Sequence, residues 1–131
     1  MEILNVSAEC FPLAKVGGLA DVVGALPTYQ QKEGVLSKVI MPLYGNDFMK
    51  NLQLNLEYKN HLTLGKLHYD FKIFTPEEPF DFPVFLVQIP GLFDRPEIYS
   101  YEDDVERFLA FQLAVLDWLL SLEKKPSIVH S

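Results

Sequence analysis

The stretch from Ile3 to Pro42 restricts the fold more than any other part of this chain. Ile3, Leu4 and Val6 form a short apolar run that reads as a buried strand. A loop follows, carrying Cys10, Pro12, Lys15 and the adjacent glycines Gly17 and Gly18. From Leu19 onward, Leu19, Val22, Val23 and Leu26 recur at helical spacing. Pro27 interrupts this pattern, so the spacing predicts a kink there or a second helical segment over Thr28 to Glu33, with Gly34 as the stop. Lys38 to Met41, closed by Pro42, reads as a second strand. Strand, glycine loop, helix, strand is a βαβ unit, and such a unit calls for parallel pairing with a right-handed crossover.

The middle of the chain changes period. Leu62, Leu64, Leu67, Tyr69, Phe71 and Ile73 alternate with polar residues, which predicts a hairpin or meander over Leu52 to Phe74 that turns near Leu64-Gly65-Lys66. Thr75 to Pro83 holds three prolines and reads as a loop. Val84 to Ile89 is apolar almost throughout, as in a strand covered on both faces. Pro90 to Asp103 is long and irregular, a kind of segment that is often functional in compact domains. Asp103 to about Leu122 reads as one long helix. Val105, Phe108, Leu109, Leu113, Leu116, Leu119 and Leu120 make a broad face expected to be core, while Phe111, Val115 and Trp118 occupy much of the other side. A helix apolar nearly all round needs cover on more than one side. Ser127 to His130 reads as a further buried strand. The fold class is therefore α/β with a mostly parallel sheet, within the size of one small domain at 131 residues.

Composition narrows the function classes. An apolar fraction of 49% excludes a disordered chain. Eleven basic residues stand against 18 acidic ones, a net charge of −7 without any Lys/Arg cluster, so a nucleic-acid partner is not expected. The single cysteine, Cys10, forms no disulfide within the chain and fits a reducing compartment. The N-terminus lacks the basic and apolar regions of a signal peptide. Phe108 to Leu122 is interrupted by Gln112 and Asp117 and is too short to span a bilayer. No membrane partner is expected and the cytoplasm is the default location.

Several residues carry possible chemistry. In open α/β sheets ligands sit beyond the carboxyl ends of the strands, at the turn into a helix. Gly17 and Gly18 would let the backbone approach a phosphate, and Lys15 would add a point charge. The same residues fit a turn that uses glycine for positive φ, with Lys15 merely solvated. The loop is neither GxGxxG nor a P-loop. Glu9 and Asp21 flank it and could accept hydrogen bonds from sugar hydroxyls, although Asp21 alone reads as a first-turn acid facing the helix dipole. Tyr99 and Tyr101 suit stacking on sugars, and Arg107 is expected to pair with Asp103 or Asp104. His61, His68 and His130 have no metal-ligand spacing among themselves or with Cys10, and no metal is expected. Cys10 reads as a small buried hydrophobe.

Taken together these stretches resemble one family. ECFPLAKVGGLADVVGALP resembles the N-terminal signature of bacterial glycogen synthases and plant starch synthases, S-E-x-x-P-x-x-K-x-G-G-L-A-D-V-x-x-x-L-P, with Ala8 where serine is frequent. SKVIMPLYGN resembles that family's second strand. LFDRPEIYSYEDDVERFLAFQLAVLDWL resembles its long loop and helix, with Asp104 where asparagine is usual. KPSIVHS resembles the strand leading into H-x-H-D-W, with His130 at the first histidine. The resemblance runs from residue 1 to 131.

The resemblance implies a Rossmann-like, mostly parallel sheet with an antiparallel hairpin insertion, the leading part of the N-terminal domain of a GT-B glycosyltransferase. Residues 1–131 would form only part of that domain, and the C-terminal nucleotide-binding domain would be absent. It implies transfer of glucose from ADP-glucose to the non-reducing end of an α-1,4-glucan with retention, without metal or cofactor. UDP-glucose stays open as donor. Lys15, Gly17, Gly18, Glu9, Asp21 and Tyr99 match family positions near the donor or acceptor. No complete catalytic set lies in this chain, so the chain alone is expected to be inactive. A non-catalytic glucan-binding or protein-interaction module is the alternative, and a homodimer or swapped assembly is expected from the apolar helix and terminal strand.

Overall fold

The computed structural model describes residues 1–130, which form one six-stranded sheet with helices on its two faces. In chain order the elements are β1 (Glu2–Val6), α1 (Gly18–Lys32), β2 (Leu36–Pro42), α2 (Asp47–Lys50), β3 (Leu54–Leu64), β4 (Leu67–Pro76), β5 (Val84–Gln88), α3 (Asp104–Ser121) and β6 (Ile128–His130). The strand order is β3-β4-β5-β2-β1-β6. β1 pairs in parallel with β2 and β6, and β2 with β5; β3–β4 and β4–β5 are antiparallel. This is the α/β, mostly parallel sheet with an inserted hairpin that the sequence predicts.

The two crossovers run in opposite directions along the sheet. The β1–α1–β2 unit steps towards β5, whereas β5–α3–β6 steps back past β1. Right-handed connections therefore put α1 and α3 on opposite faces. On one face Ser37 of β2 bonds Gln30 of α1 at 2.6 Å. On the other, Trp118 of α3 packs on Phe85 of β5, ring centroids 4.8 Å apart. The core lies between, with Leu4, Val39, Ile40, Met41, Leu86 and Val87 buried in the central strands.

Glycine places the turns. Gly65, at φ +62°, closes the two-residue loop between Leu64 and Leu67. Gly34, at φ +81°, ends α1 as expected. Pro27 does not restart the helix: α1 runs unbroken from Gly18 to Lys32 with Pro27 inside and buried, so packing offsets the missing N–H. β4 continues to Pro76, into what reads in sequence as loop, because Thr75 and Pro76 pair with Asn55 and Leu54.

Two burial expectations are overturned. The face of α3 against the sheet is Arg107, Ala110, Phe111, Ala114, Val115 and Trp118, whereas Val105, Leu109, Leu116 and Leu120 are exposed, Val105 at 83%. Ala110 and Ala114 let the helix approach the sheet closely, and of the expected face only Phe108, Leu113 and Leu119 pack half-buried against the core. β6 is exposed along its length rather than buried, because it is an edge strand with only β1 beside it among the described residues. The outer turns of α1 are likewise open at Leu19 and Val22. Among the described residues, no helix is long and apolar enough to cross a membrane.

Gly24 sits where α1 meets the preceding loop. A Cβ built there would stand 2.6 Å from the carbonyl oxygen of Phe11. In an open helix interior Gly→Ala gains about 1 kcal/mol, but here the backbone of the loop blocks the added carbon. Gly24→Ala should destabilise the chain by about 1–3 kcal/mol, read as a lower urea midpoint with an unchanged slope; an unchanged or raised midpoint would contradict the contact.

Candidate functional site

The candidate site is built where β1 ends. Ser7 extends the pairing through its amide to the Ile40 carbonyl at 3.1 Å, and its hydroxyl donates to the Glu9 carbonyl at 2.8 Å. Reciprocal bonds between Cys10 and Ala14, 3.0 and 2.9 Å, then close a tight loop that delivers the chain to Lys15 and the glycines. Tyr44 and Asn46, just beyond β2, brace this loop from below. The Tyr44 hydroxyl donates to the Ala8 carbonyl at 2.7 Å, and the Asn46 side chain donates to the Leu13 carbonyl at 3.1 Å.

Glu9 is the centre of the arrangement and is only 4% exposed. Its Oε1 accepts from the amides of Val16 and Gly17 at 3.2 and 3.1 Å, and its Oε2 accepts from the Tyr99 hydroxyl at 2.7 Å. Gly17 is the N-cap of α1 and offers no side chain, and the Glu9 carboxylate instead holds the two amides that lead into the helix. Burial by itself would raise the Glu9 carboxyl, but the bonds from Tyr99, Gly17 and Val16 together hold it below its ordinary value. Burial, reinforced by the facing carboxylate, pushes the Tyr99 phenol up to about 12. Glu9 is thus an anion and Tyr99 its fixed donor.

The glycines are not explained by turn geometry. Gly17 has φ −149°, ordinary extended backbone, and Gly18 opens α1. A Cβ at either would meet nothing within 4 Å. The positive-φ explanation therefore fails at both, and the space their missing side chains leave faces outward. Lys15 and Asp21 sit at the rim as an ion pair, Nζ 3.0 and 2.9 Å from the two carboxylate oxygens, each about half exposed. Lys15 also lies 5.9 Å over the Phe11 ring. Such an exposed pair is worth under about 1 kcal/mol, so it orients Lys15 without locking it.

Tyr99 reaches Glu9 because the long segment before α3 is knotted in place. Arg95 makes a bidentate pair with Asp103 at 2.7 and 2.8 Å and donates to the Gly91 carbonyl at 2.8 Å. Asp104 accepts from the Ser100 and Tyr101 amides and from Arg107 Nη1, at 2.9, 3.1 and 2.8 Å. Arg107 is fully buried; Nε donates to the Leu92 carbonyl and Nη1 to the Ile98 carbonyl, with the rings of Phe93, Tyr101 and Phe108 around the guanidinium. Arg107 thus takes Asp104, and Asp103 takes Arg95. The departure at Asp104 fits its surroundings, because all three groups facing the carboxylate are donors. Tyr101 is spent on this knot, its ring against both arginines and its hydroxyl accepting from the Glu97 amide at 3.2 Å.

Sequence reasoning missed the bracing by Tyr44 and Asn46 and the buried role of Arg107. The signal for the last is a single arginine between Val105 and Phe108 in an apolar helix. His130 ends β6 beside Asn5, Nδ1 to Oδ1 3.2 Å. Two hollows flank the end of β1, one of about 260 Å³ beside α1 that His130 lines and one of about 450 Å³ beside α3. His61 and His68 are exposed on the hairpin, away from the site. Cys10 is fully buried, and burial pushes its thiol up to about 12, so it packs as a hydrophobe. Among the described residues no group of three or more His, Cys, Asp or Glu is placed to hold a metal ion.

The pattern of the starch synthase catalytic domain matches residues 2–131. The chain belongs to the starch synthase catalytic domain family. Within that family it is 44% identical over 131 residues to a glycogen synthase of Flavobacterium johnsoniae, an alignment covering 99% of this chain and 28% of the relative. A glycogen synthase of Kosmotoga olearia is 40% identical over 134 residues, covering 99% of this chain and 27% of its own length. Among solved structures, the catalytic domain of Starch Synthase IV from Arabidopsis thaliana bound to ADP and acarbose aligns with a TM-score of 0.83 at 31% identity, over 98% of this chain and 27% of that one. The chain thus spans little more than a quarter of the length of the family members it matches.

The electrostatics give an acid dependence. Glu9, Asp103 and Asp104 all have folded values below their ordinary ones. A carboxyl depressed by folding stabilises the fold above its unfolded value, here 4.5 for Glu9, and that stabilisation is lost as pH falls through the depressed value. The urea midpoint should therefore drop as pH falls below about 4.5, and Glu9→Gln should flatten part of that drop. A variant with the same pH profile as the unsubstituted chain would show that Glu9 is not held as described.

Proposed function

We propose that this chain forms one wall of the active site of a retaining glucosyltransferase that moves glucose from ADP-glucose to the non-reducing end of an α-1,4-glucan. The observation that carries this reading is the open backbone at Gly17 and Gly18, which no packing or dihedral need within the chain explains, beside a lysine held only by a surface pair. A phosphate could approach that backbone closely. In this reading the helix-start amides beyond Gly17 and the Lys15 ammonium meet the diphosphate, whose charge grows as the bond to the glucosyl carbon breaks. Glu9 bonds Val16, Gly17 and Tyr99 and so sets the loop's shape, while its hydrogen bonds do not reach Lys15. Asp21 holds Lys15 until the donor arrives, and Tyr99 offers its ring beside the sugar. No metal or cofactor enters. Membership of a family with glycogen synthases, and likeness to a starch synthase bound to ADP and acarbose, support the donor and acceptor classes.

The test is a chimera in which this chain replaces the corresponding 28% of the Flavobacterium johnsoniae glycogen synthase. The chimera should release ADP from ADP-glucose in the presence of a glucan primer, whereas the 131-residue chain alone should release none above background. Lys15→Ala in the chimera should lower kcat/KM by about 100-fold, the scale of one lost transition-state donor. A folded chimera without turnover, or one indifferent to Lys15→Ala, would sink the reading.

A second reading, an interaction module, is favoured by the uncovered aliphatic face of α3 at Leu109, Leu116 and Leu120 and the open edge at Ile128 and Val129. Among the described residues β6 has no strand on its outer side, and such an edge beside apolar surface invites a second copy. Light scattering at moderate concentration should show the chain as a dimer or larger; a monomer would refute self-association.

A further inference from the structure

A chain of hydrogen bonds crosses the sheet from α1 to β6. Ser37 Oγ donates to Gln30 Oε1 at 2.6 Å. Asn5 Nδ2 donates to Ser37 Oγ at 3.0 Å and to the Lys38 carbonyl at 3.1 Å. Asn5 Oδ1 lies 3.2 Å from His130 Nδ1. Asn5 is 4% exposed and Ser37 is fully buried, so the middle of this thread is fixed within the sheet, and it ends at the exposed His130.

The chemistry of the thread settles which proton goes where. A main-chain carbonyl can only accept, so the end of the Asn5 amide facing Lys38 is the nitrogen. The other end is then the carbonyl oxygen, which also can only accept. His130 must meet it with a protonated Nδ1. In the neutral ring that leaves Nε2 with a bare lone pair, on the far side from Asn5. No group among the described residues bonds it. His130 lines the hollow of about 260 Å³ formed with Ser7, Ala8, Leu19 and Val22, and Ala8 directly precedes Glu9.

We propose that Asn5 is a positioning residue that locks His130 in its Nδ1–H tautomer, so that Nε2 faces this hollow as a hydrogen-bond acceptor for a ligand hydroxyl. An unconstrained imidazole prefers the opposite tautomer, with the proton on Nε2, and would offer a donor there. The lock therefore reverses what the wall of the hollow presents. The bond to Asn5 acts on the imidazole as an orienting carbonyl does on a metal-ligating histidine, except that here the freed nitrogen meets a donor group. Only the identity of that donor, a sugar hydroxyl, rests on the glucosyltransferase reading.

The tautomer is read directly from the ring nitrogens. The chain is labelled with ¹⁵N-histidine and examined about two pH units above the ordinary imidazole value of about 6.5. His130 should show a protonated Nδ1 and a bare Nε2. Asn5→Leu removes the acceptor and should turn His130 over to a majority of Nε2–H. Asn5→Asp keeps an acceptor and should retain Nδ1–H. A majority of Nε2–H in the unsubstituted chain overturns the proposal, as does Nδ1–H persisting in a folded Asn5→Leu. If Asn5→Leu does not fold, the unsubstituted chain and Asn5→Asp decide between them. Because no turnover is needed, a locked ring alongside an inactive chimera would overturn the glucosyltransferase reading and leave the lock standing.

Discussion

A single buried carboxylate joins the parts of this fold that are far apart in sequence. Glu9 follows β1, caps the amides that open α1, and receives the hydroxyl of Tyr99 from the loop before α3. Burying an ion is costly unless its lone pairs are met, and here three donors meet them. The consequence is geometric. Glu9 ties the glycine loop to the end of β1 through two amides and Tyr99 to the same point through its hydroxyl. Against its burial, the bonds depress the Glu9 carboxyl, whereas burial first and the facing carboxylate second raise the Tyr99 phenol.

The second support is the guanidinium of Arg107. A fully buried arginine is tolerable only when its donors and its charge are satisfied. Two carbonyls of the loop, the Asp104 carboxylate and three aromatic faces do this, with Nη2 alone lacking a partner among the described residues. Arg107 therefore folds the loop around itself, and Asp104 ties the Ser100–Tyr101 amides to the same charge. A neutral asparagine at 104 would turn an amide group towards one of these donors, so the acid suits this position.

How much of this is legible in the sequence depends on how local each determinant is. The βαβ opening and the hairpin could be read because periods of 3.6 and 2 are local and the turn glycines mark their ends. The inner face of α3 could not, because both of its sides are apolar; Ala110 and Ala114 decide the matter through their size, which only the sheet's position reveals. The continuity of α1 through Pro27 likewise depends on packing. At the site, the motif residues were legible as a set, but their partnerships were not. Tyr44 to Ala8 and Asn5 to His130 join residues whose neighbours in sequence give no hint of each other.

The paired glycines sharpen what a motif can mean. A glycine kept for positive φ, as at Gly34 and Gly65, is explained within the chain. One kept for packing, as at Gly24, is explained by a neighbouring atom. Gly17 and Gly18 satisfy neither condition, so any requirement for them lies with something that approaches from outside. The Glu9 network constrains what that can be. It already takes the Val16 and Gly17 amides, so in the glucosyltransferase reading the diphosphate is left with the later helix-start amides and Lys15. Lys15 in turn is shared with Asp21, and in the glucosyltransferase reading a diphosphate must win it from that carboxylate. Two half-exposed charges in water cede such a contact at little cost, whereas Glu9, buried and triply bonded, does not move. The loop therefore combines a rigid floor with one exchangeable cation, and that division follows from which of its two acids is out of the solvent.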